Sequence, residues 1–119
     1  MEGWKLKINS IESTEELQVS HNPKIKKHVL VSGDEIENVT NFSRAVFPPG
    51  EIASAHSHRD MTEIFFIESG LGVLSVNEKS IPLESGMCVT IEPGEMHELK
   101  NTGSSDMVVL CFGIKTECI

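Results

Sequence analysis

Three histidines and one glutamate carry the most specific chemical signal in this chain. His56 and His58 are separated by one residue, and Glu63 follows shortly after them. Side chains at i and i+2 of a β-strand point to the same face, so the two imidazoles are predicted to lie side by side. The Arg59-Asp60 pair is expected to turn the chain and bring Glu63 alongside. Imidazoles with a carboxylate suit divalent Fe, Mn, Ni, Cu or Zn, although a His-x-His pair alone is weak evidence for a metal site.

Glycines at fixed distances frame this segment. The pattern runs Gly50, five residues, His56-x-His58, four residues, Glu63, six residues, Gly70. In every fixed position this arrangement resembles the first signature motif of the cupin family.

A second motif of the same family follows after a short spacing. Gly86 is followed by five residues, then Glu92-Pro93-Gly94, two residues, His97, three residues and Asn101. The family places proline where this chain has Glu92, whereas here the proline stands one position later. Proline and glycine still favour a tight turn, so we expect the turn to survive with an altered shape. The resemblance extends over roughly residues 44–112.

The resemblance implies an all-β fold, a double-stranded β-helix or jelly-roll barrel, with one divalent transition metal (Fe, Mn, Ni, Cu or Zn) inside. The metal would be held by His56, His58, Glu63 and His97. The interior of a small barrel is normally filled by side chains, and inward polar groups are costly unless something satisfies them. Four protein ligands leave two open positions on an octahedral metal. The alternative is that these four side chains bond only to each other and to water.

The elements that must position these residues are short strands. Apolar runs of strand length alternate with turns rich in Pro, Gly and Asn, which is typical of a β-sandwich or barrel, and no long stretch has helical periodicity. Asn77-Glu78-Lys79 is predicted to close a hairpin, and Pro82 favours an edge strand after it. The apolar runs are residues 42–47, 64–67, 71–76, 87–91 and 107–114.

The first part of the chain has a weaker secondary-structure pattern. We assign residues 1–38 to an N-terminal arm and edge strand and residues 39–119 to the barrel, within one structural domain. Ser13 and Glu16 have the spacing of a capping box, so a short helical turn is one prediction there. A polar loop before a strand at residues 28–31 is the other.

Two residues are candidates for contact with a substrate. Arg44 precedes the first motif on an apolar strand, and an inward guanidinium would bind a carboxylate through paired hydrogen bonds. An outward, solvated Arg44 is an equal alternative. Phe65 shares the face of Glu63 by strand alternation, as does Ile67, so both are predicted to line the pocket or the core.

Composition narrows the partners. The chain has 119 residues and a net charge of −8, so it lacks the basic excess that nucleic-acid binding requires. No apolar run reaches the length of a transmembrane helix or a signal peptide, and the three cysteines form no CxxC pair, so we expect a cytoplasmic protein. A barrel this small would gain from covering an open sheet edge, which predicts a homodimer.

These features predict a metalloenzyme that acts on a small oxygen-bearing molecule. Its chemistry would be of the dioxygenase type, or Lewis-acid isomerisation or decarboxylation. The alternative is a non-catalytic module that binds a metal or a small ligand, because fold alone does not determine function. The sequence identifies no catalytic residue beyond the metal ligands.

Overall fold

The computed structural model describes residues 5–116, which form two antiparallel sheets. None of these described residues forms a helix, and so none of them provides a helix able to cross a membrane. The strands in chain order are β1 (Leu17–Val19), β2 (Asn22–Val31), β3 (Val39–Phe47), β4 (Ile52–His56), β5 (Met61–Ser69), β6 (Leu71–Val76), β7 (Lys79–Glu84), β8 (Cys88–Ile91), β9 (His97–Asn101) and β10 (Met107–Lys115).

The strands are arranged as a jelly roll, which confirms the all-β prediction. The larger sheet has the order β1-β2-β3-β10-β5-β8 and the smaller sheet has the order β4-β9-β6-β7. From β3 onward the chain passes back and forth between the sheets, so both contribute to one interior. Burial of apolar side chains there is the main stabilising term. The buried core consists of Ile25, Ala45, Phe47, Ala53, Phe65, Ile67, Leu74, Leu83, Ile91, Leu99, Met107 and Val109.

The predicted apolar runs fall on strands, and the hairpin at residue 77 is present. β6 and β7 pair from Leu71↔Glu84 to Val76↔Lys79. Asn77 and Glu78 both have positive φ values, 47° and 73°, which is the conformation of a tight hairpin turn. β7, which contains Pro82, is an edge strand of the smaller sheet, as predicted.

The N-terminal residues are part of the larger sheet. β1 forms its edge and β2 pairs with β3, and Ile25 on β2 is fully buried in the core. The segment before them forms a turn, in which the Thr14 amide donates to the Ser10 carbonyl at 3.2 Å. The chain therefore makes one hydrogen-bonded turn that begins at Ser10, without the helix that a capping box at Ser13 would start.

Candidate metal centre

A β-bulge on β4 determines where the His56 side chain points. Ala53 pairs with Leu99, but the next pair is His56 with His97, so β4 has one more residue than β9 over this interval. A bulge changes which side chains face inward, and bulges are common beside functional sites. Here it places His56 on the same face as buried Ala53 and directly opposite His97, with ring centroids 4.4 Å apart.

Glu63 reaches the same interior from the larger sheet. It lies on β5, where Phe65 and Ile67 are buried on one face while Phe66 is 38% exposed on the other. The alternation predicted from the sequence is therefore present. Phe65 packs beside the site, with its ring centroid 5.9 Å from that of His97.

His58 is positioned by a loop instead of a strand. β4 ends at His56, so the i, i+2 argument that placed both imidazoles on one strand face does not apply to His58. Its carbonyl accepts a hydrogen bond from the Gly94 amide at 2.6 Å, which joins the two motif segments. Gly94 has φ of 86° and follows Pro93 in a turn closed from Glu95 N–H to Glu92 C=O, as a type II turn requires. The displaced proline thus still forms a tight turn.

Three of the four predicted ligands converge. One side-chain donor atom from each of His56, Glu63 and His97 lies within 4.8 Å of the others. Glu63 Oε1 is 3.1 Å from His97 Nε2 and 3.3 Å from His58 Nε2. His58 therefore contacts the group through Glu63, although its ring centroid is 6.2 Å from that of His97.

The backbone orients two of the imidazoles in the same way. His56 Nδ1 lies 2.8 Å from the Ser54 carbonyl, and His97 Nδ1 lies 2.9 Å from the Glu95 carbonyl. A carbonyl oxygen only accepts, so each Nδ1 must donate its proton. In the neutral imidazole Nε2 is then unprotonated and carries a lone pair, which is the form that binds a metal.

The pair formed by Glu63 Oε1 and His97 Nε2 is arranged so that a positive charge, either a metal ion or a shared proton, would satisfy both atoms. Both atoms are buried, and neither has a hydrogen-bond partner of acceptable geometry among the described residues, despite their 3.1 Å separation. A carboxylate oxygen and an imidazole lone pair repel each other unless a positive charge lies near both. A buried polar atom without a partner is costly, so the arrangement suits a bound metal ion.

The charges of these residues are coupled. Burial raises the pKa of Glu63, but contact with His97 and the charges of the three histidines outweigh burial, so its pKa is lowered. Burial likewise lowers the pKa of His97, but the Glu63 carboxylate and the Glu95 carbonyl outweigh it and raise the pKa above the ordinary value. Without a metal, the group therefore favours a proton between His97 and Glu63.

Known proteins are similar to this chain in sequence and in fold. The Cupin domain family profile matches residues 43–113. An oxalate-binding protein of Thermotoga maritima is 34% identical over 82 residues, which cover 68% of each protein. This chain belongs to the cupin family.

Solved structures agree with that assignment. A predicted oxalate decarboxylase from Thermotoga maritima superposes on this cupin with a TM-score of 0.85, at 25% identity, over 92% of this chain and 99% of the other. A Cupin 2 conserved barrel domain protein from Salinispora arenicola has a TM-score of 0.75 at 17% identity, over 92% of this chain and 88% of the other. The second likeness concerns the fold alone.

The candidate centre opens into a cavity of about 450 Å³ between the two sheets. One part of its wall is apolar and includes Phe47, Phe65 and Leu99, and another part is polar and includes Asn41 and Ser43. The complete lining comprises Val19, Ser20, His21, Lys27, Val29, Asn41, Ser43, Ala45, Phe47, Ala53, His56, His58, Glu63, Phe65, His97, Leu99 and Cys111. Sequence reasoning had singled out only the four predicted ligands and Phe65 from this lining.

Arg44 is not among the residues that line the cavity. On β3 the buried residues are Ser43, Ala45 and Phe47, so Arg44 points to the outer face of the sheet. Its Nη2 lies 3.2 Å from Glu68 Oε2 on that face. The inward orientation that carboxylate binding inside the barrel requires is therefore not the one adopted, and Arg44 corresponds to the outward alternative.

The cysteines differ in environment. Cys111 lines the cavity, and burial, with a smaller contribution from the Glu63 charge, raises the pKa of its thiol to about 12. It therefore remains protonated at neutral pH and is not a nucleophile. Cys88, by contrast, is exposed. Cys118 lies outside the described residues.

Proposed function

We propose that this cupin binds one divalent transition metal through His56, His58, Glu63 and His97 and binds a small acid at that metal. The observation that carries the proposal is the buried, unsatisfied pair of Glu63 Oε1 and His97 Nε2. The shared orientation of His56 and His97, each with Nδ1 bonded to a carbonyl, supports it. His58 is 35% exposed at its side chain and borders the cavity, so it would complete the ligand set from the loop side.

The proposed ligand is an acid with two oxygen donors, of the class that includes oxalate. Four protein ligands leave two positions free on a six-coordinate metal, which suits a chelating acid. The names of two similar proteins, an oxalate-binding protein and a predicted oxalate decarboxylase, support the same class. The cavity walls formed by Phe65 and Leu99 would exclude water from one side of the ligand.

Catalysis is a second candidate. A bound metal would supply Lewis acidity and, for Fe or Mn, redox chemistry. Within the cavity lining, the ionisable groups apart from the proposed ligands are His21, Lys27 and Cys111, and Cys111 stays protonated. His21, whose ring centroid lies 6.0 Å from that of His56, is thus the residue nearest the proposed ligands that remains to transfer a proton to or from an acid at the metal, and the lining offers no carboxylate besides Glu63.

Calorimetric titration with oxalate tests the binding proposal. Protein loaded with Zn(II) or Mn(II) should bind one oxalate per chain, and protein stripped of metal should bind it at least tenfold more weakly. Formate, which has one carboxylate and cannot chelate through two, is the matched control and should bind weakly to both forms. Equal oxalate binding with and without metal would contradict the proposal.

Turnover distinguishes the enzyme from the binding module. Decarboxylation of oxalate would release one formate and one CO₂, and oxygenation of a small acid would consume O₂. Release of formate and CO₂, or consumption of O₂, by the metal-loaded protein would establish an enzyme if that activity is lost in His58→Ala. Stoichiometric oxalate binding with no turnover by protein loaded with Fe, Mn, Ni, Cu or Zn would leave the binding module.

We also propose a cytoplasmic homodimer. Leu6, Ile8 and Ile36 expose large apolar side chains, and a second copy would cover them. Light scattering should give a mass near twice 13.1 kDa. A mass near that of one chain over a wide range of concentrations would exclude the dimer.

A further inference from the structure

Lys27 carries the one lysine or arginine side chain in the described cavity lining. It lies on β2 between Ile25 and Val29, and strand alternation gives all three the same, inward face. Ile25 is fully buried and Val29 also borders the cavity. The Lys27 side chain is therefore directed into the barrel rather than over its surface.

The ammonium group of Lys27 has no ion pair with any described carboxylate. Lys7, Lys24 and Arg44 each pair with a glutamate on the surface. Lys27 is absent from every such pair within residues 5–116. A half-buried, inward charge without a counter-charge is unfavourable. The protein keeps it at a position where an anion inside the cavity would neutralise it.

The polar neighbours of Lys27 on the cavity wall do not fill this role. Ser43 donates a hydrogen bond to Asn41 Oδ1 at 2.9 Å, so these two side chains are already bonded to each other. Neither carries a charge. Lys27 thus remains the unpaired cationic group of this wall.

The strand register separates Lys27 from the candidate metal ligands. Lys27 pairs with Ala45, Ala45 with Val109, and Val109 with Ile67, which places Lys27 in the Ile67 row. Glu63 lies four residues before Ile67 on β5, in the row of Gly113 and Asn41.

β2 and β5 are three strand spacings of about 4.8 Å apart in the curved sheet, and the Lys27 and Glu63 rows are four residues, or about 13 Å, apart along the strands. The backbone positions of Lys27 and Glu63 are therefore well separated on the inner face. Oxalate uses both of its directly bonded carboxylates when it chelates a metal, so it has no separate anionic group to offer Lys27. A cavity of about 450 Å³ also lies within the range that accepts much larger ligands.

We propose that Lys27 binds a second anionic group of the ligand, several bonds away from the oxygens that chelate the metal. The inference rests on the proposed function and narrows its ligand class to elongated acids, with the chelating oxygens at one end and an anionic group at the other. Lys27 then determines specificity, because it strengthens the binding of ligands with a distal negative charge, which oxalate lacks.

Paired 2-oxo acids provide the test. 2-Oxoglutarate and 2-oxopentanoate have the same chelating end and the same carbon chain, and only 2-oxoglutarate carries a distal carboxylate. Protein loaded with Zn(II), which undergoes no redox chemistry, should bind 2-oxoglutarate about tenfold more tightly in calorimetric titrations, as expected for one charge-assisted hydrogen bond. Homologous 2-oxo diacids with one to three methylenes would report the distance between the two ends of the site.

Three variants assign the effect to Lys27. Lys27→Gln should remove the tenfold preference, leave oxalate affinity within twofold and retain one equivalent of Zn(II), which also verifies folding. Lys27→Arg keeps the charge and should retain most of the preference. Lys26→Gln is the matched control on the same strand, because the Lys26 ammonium bonds to the Pro23 carbonyl outside the cavity, and it should behave as the parent.

The outcomes separate this inference from the proposed function. If the parent binds oxalate but does not prefer 2-oxoglutarate, or if the preference persists in Lys27→Gln, the role of Lys27 is wrong and the metal-dependent site stands. If the metal-loaded parent binds neither oxalate nor any 2-oxo acid, the proposed function fails and the role of Lys27 fails with it.

Discussion

The inner and outer faces of the larger sheet differ in whether their charged side chains have partners. Lys27 and Arg44 lie on neighbouring strands, one register step apart, since Lys27 pairs with Ala45 and His28 pairs with Arg44. Arg44 is on the outer face beside Glu68, which compensates its charge. Lys27 is on the inner face and borders the cavity without a described partner. Because successive side chains of a strand point to opposite faces, Arg44 forms a surface ion pair, whereas Lys27 faces the cavity and is available to a ligand.

The histidines show the same contrast. His28 lies on the outer face, where its Nδ1 is 3.0 Å from the Thr14 hydroxyl. His97 lies inside, with Nε2 turned toward Glu63 and without a hydrogen bond of acceptable geometry. Arg44 and His28 on the outside thus have partners, whereas Lys27 and the Glu63–His97 pair on the inside lack them among the described residues. Substitutions on the inner face should therefore affect metal or ligand binding, whereas those on the outer face should not.

The largest expected effect is loss of the metal when an inner histidine is removed. His97→Ala deletes a proposed ligand from the centre of the group, so bound metal should fall from about one equivalent to less than about a tenth. His28→Ala is the matched control on the outer face and should keep the full equivalent. Elemental analysis of both proteins after the same metal loading makes the measurement. A full equivalent in His97→Ala would contradict the assignment of His97.

The next largest effect concerns Phe65. It is 5% exposed, so Phe65→Ala should destabilise the protein by about 3 kcal/mol, and it should also weaken oxalate binding because Phe65 lines the cavity. Ile67→Ala removes a fully buried side chain on the same strand face but outside the cavity lining, so it should lower stability by a similar amount and leave binding unchanged. Denaturant unfolding and calorimetry separate the two quantities. Equal losses of oxalate affinity in both variants would indicate a general effect of destabilisation.

A smaller effect is expected in the pH dependence of stability, which should have opposite directions in the metal-free and metal-loaded proteins. In the metal-free protein the pKa of His97 is raised, so its stabilising contribution is complete below the unfolded-state pKa and is lost as pH rises through the folded-state pKa. In the loaded protein the metal displaces that proton, so affinity should rise by up to about tenfold per pH unit over the same range.

Thermal unfolding near pH 6 and near pH 8 measures both trends. Between these values the contribution of His97 should decrease in chelator-treated protein, measured as the difference between the parent and His97→Gln. The stabilisation by added Zn(II) should increase over the same interval. Stabilisation by Zn(II) that is independent of pH would argue against a histidine ligand that gives up a proton.

The smallest effect is expected for Arg44→Ala. Glu68 is 44% exposed at its side chain, and exposed ion pairs contribute little, so stability should fall by at most about 1 kcal/mol. Oxalate affinity and metal content should stay at the parent values, because Arg44 faces away from the cavity. A tenfold loss of oxalate affinity in Arg44→Ala would require the guanidinium to reach the ligand and would overturn the contrast between the faces.

The sequence was sufficient to predict the fold and to bring together most of the candidate site. Turn residues between short apolar runs predict strands, and the resemblance of the two motifs to those of the cupin family implied that His56, Glu63 and His97 meet. Their convergence in the structure involves a β-bulge before His56, which the sequence does not mark. The strand alternation used for His58 was wrong for a related reason, since β4 ends before that residue.

The ligand end of the cavity was not predictable in the same way. Both faces of β3 carry apolar residues, Ala45 and Phe47 on one and Phe42 and Val46 on the other, so alternation could not determine the direction of Arg44. Lys27 stands in a run of basic residues that is typical of a solvated strand, but pairing with β3 shows that it shares the inward face of Ile25. The signal that could have found it is the alternation of Ile25, Lys27 and Val29.

Metal content of the parent protein tests the central claim most directly. Protein produced in metal-replete medium, or reconstituted after chelation, should contain close to one equivalent of Fe, Mn, Ni, Cu or Zn per chain by elemental analysis. Glu63→Gln keeps the size of the side chain but removes the buried carboxylate, and it should lose most of that metal. Less than about a tenth of an equivalent in the parent, with none regained on reconstitution, would contradict the account.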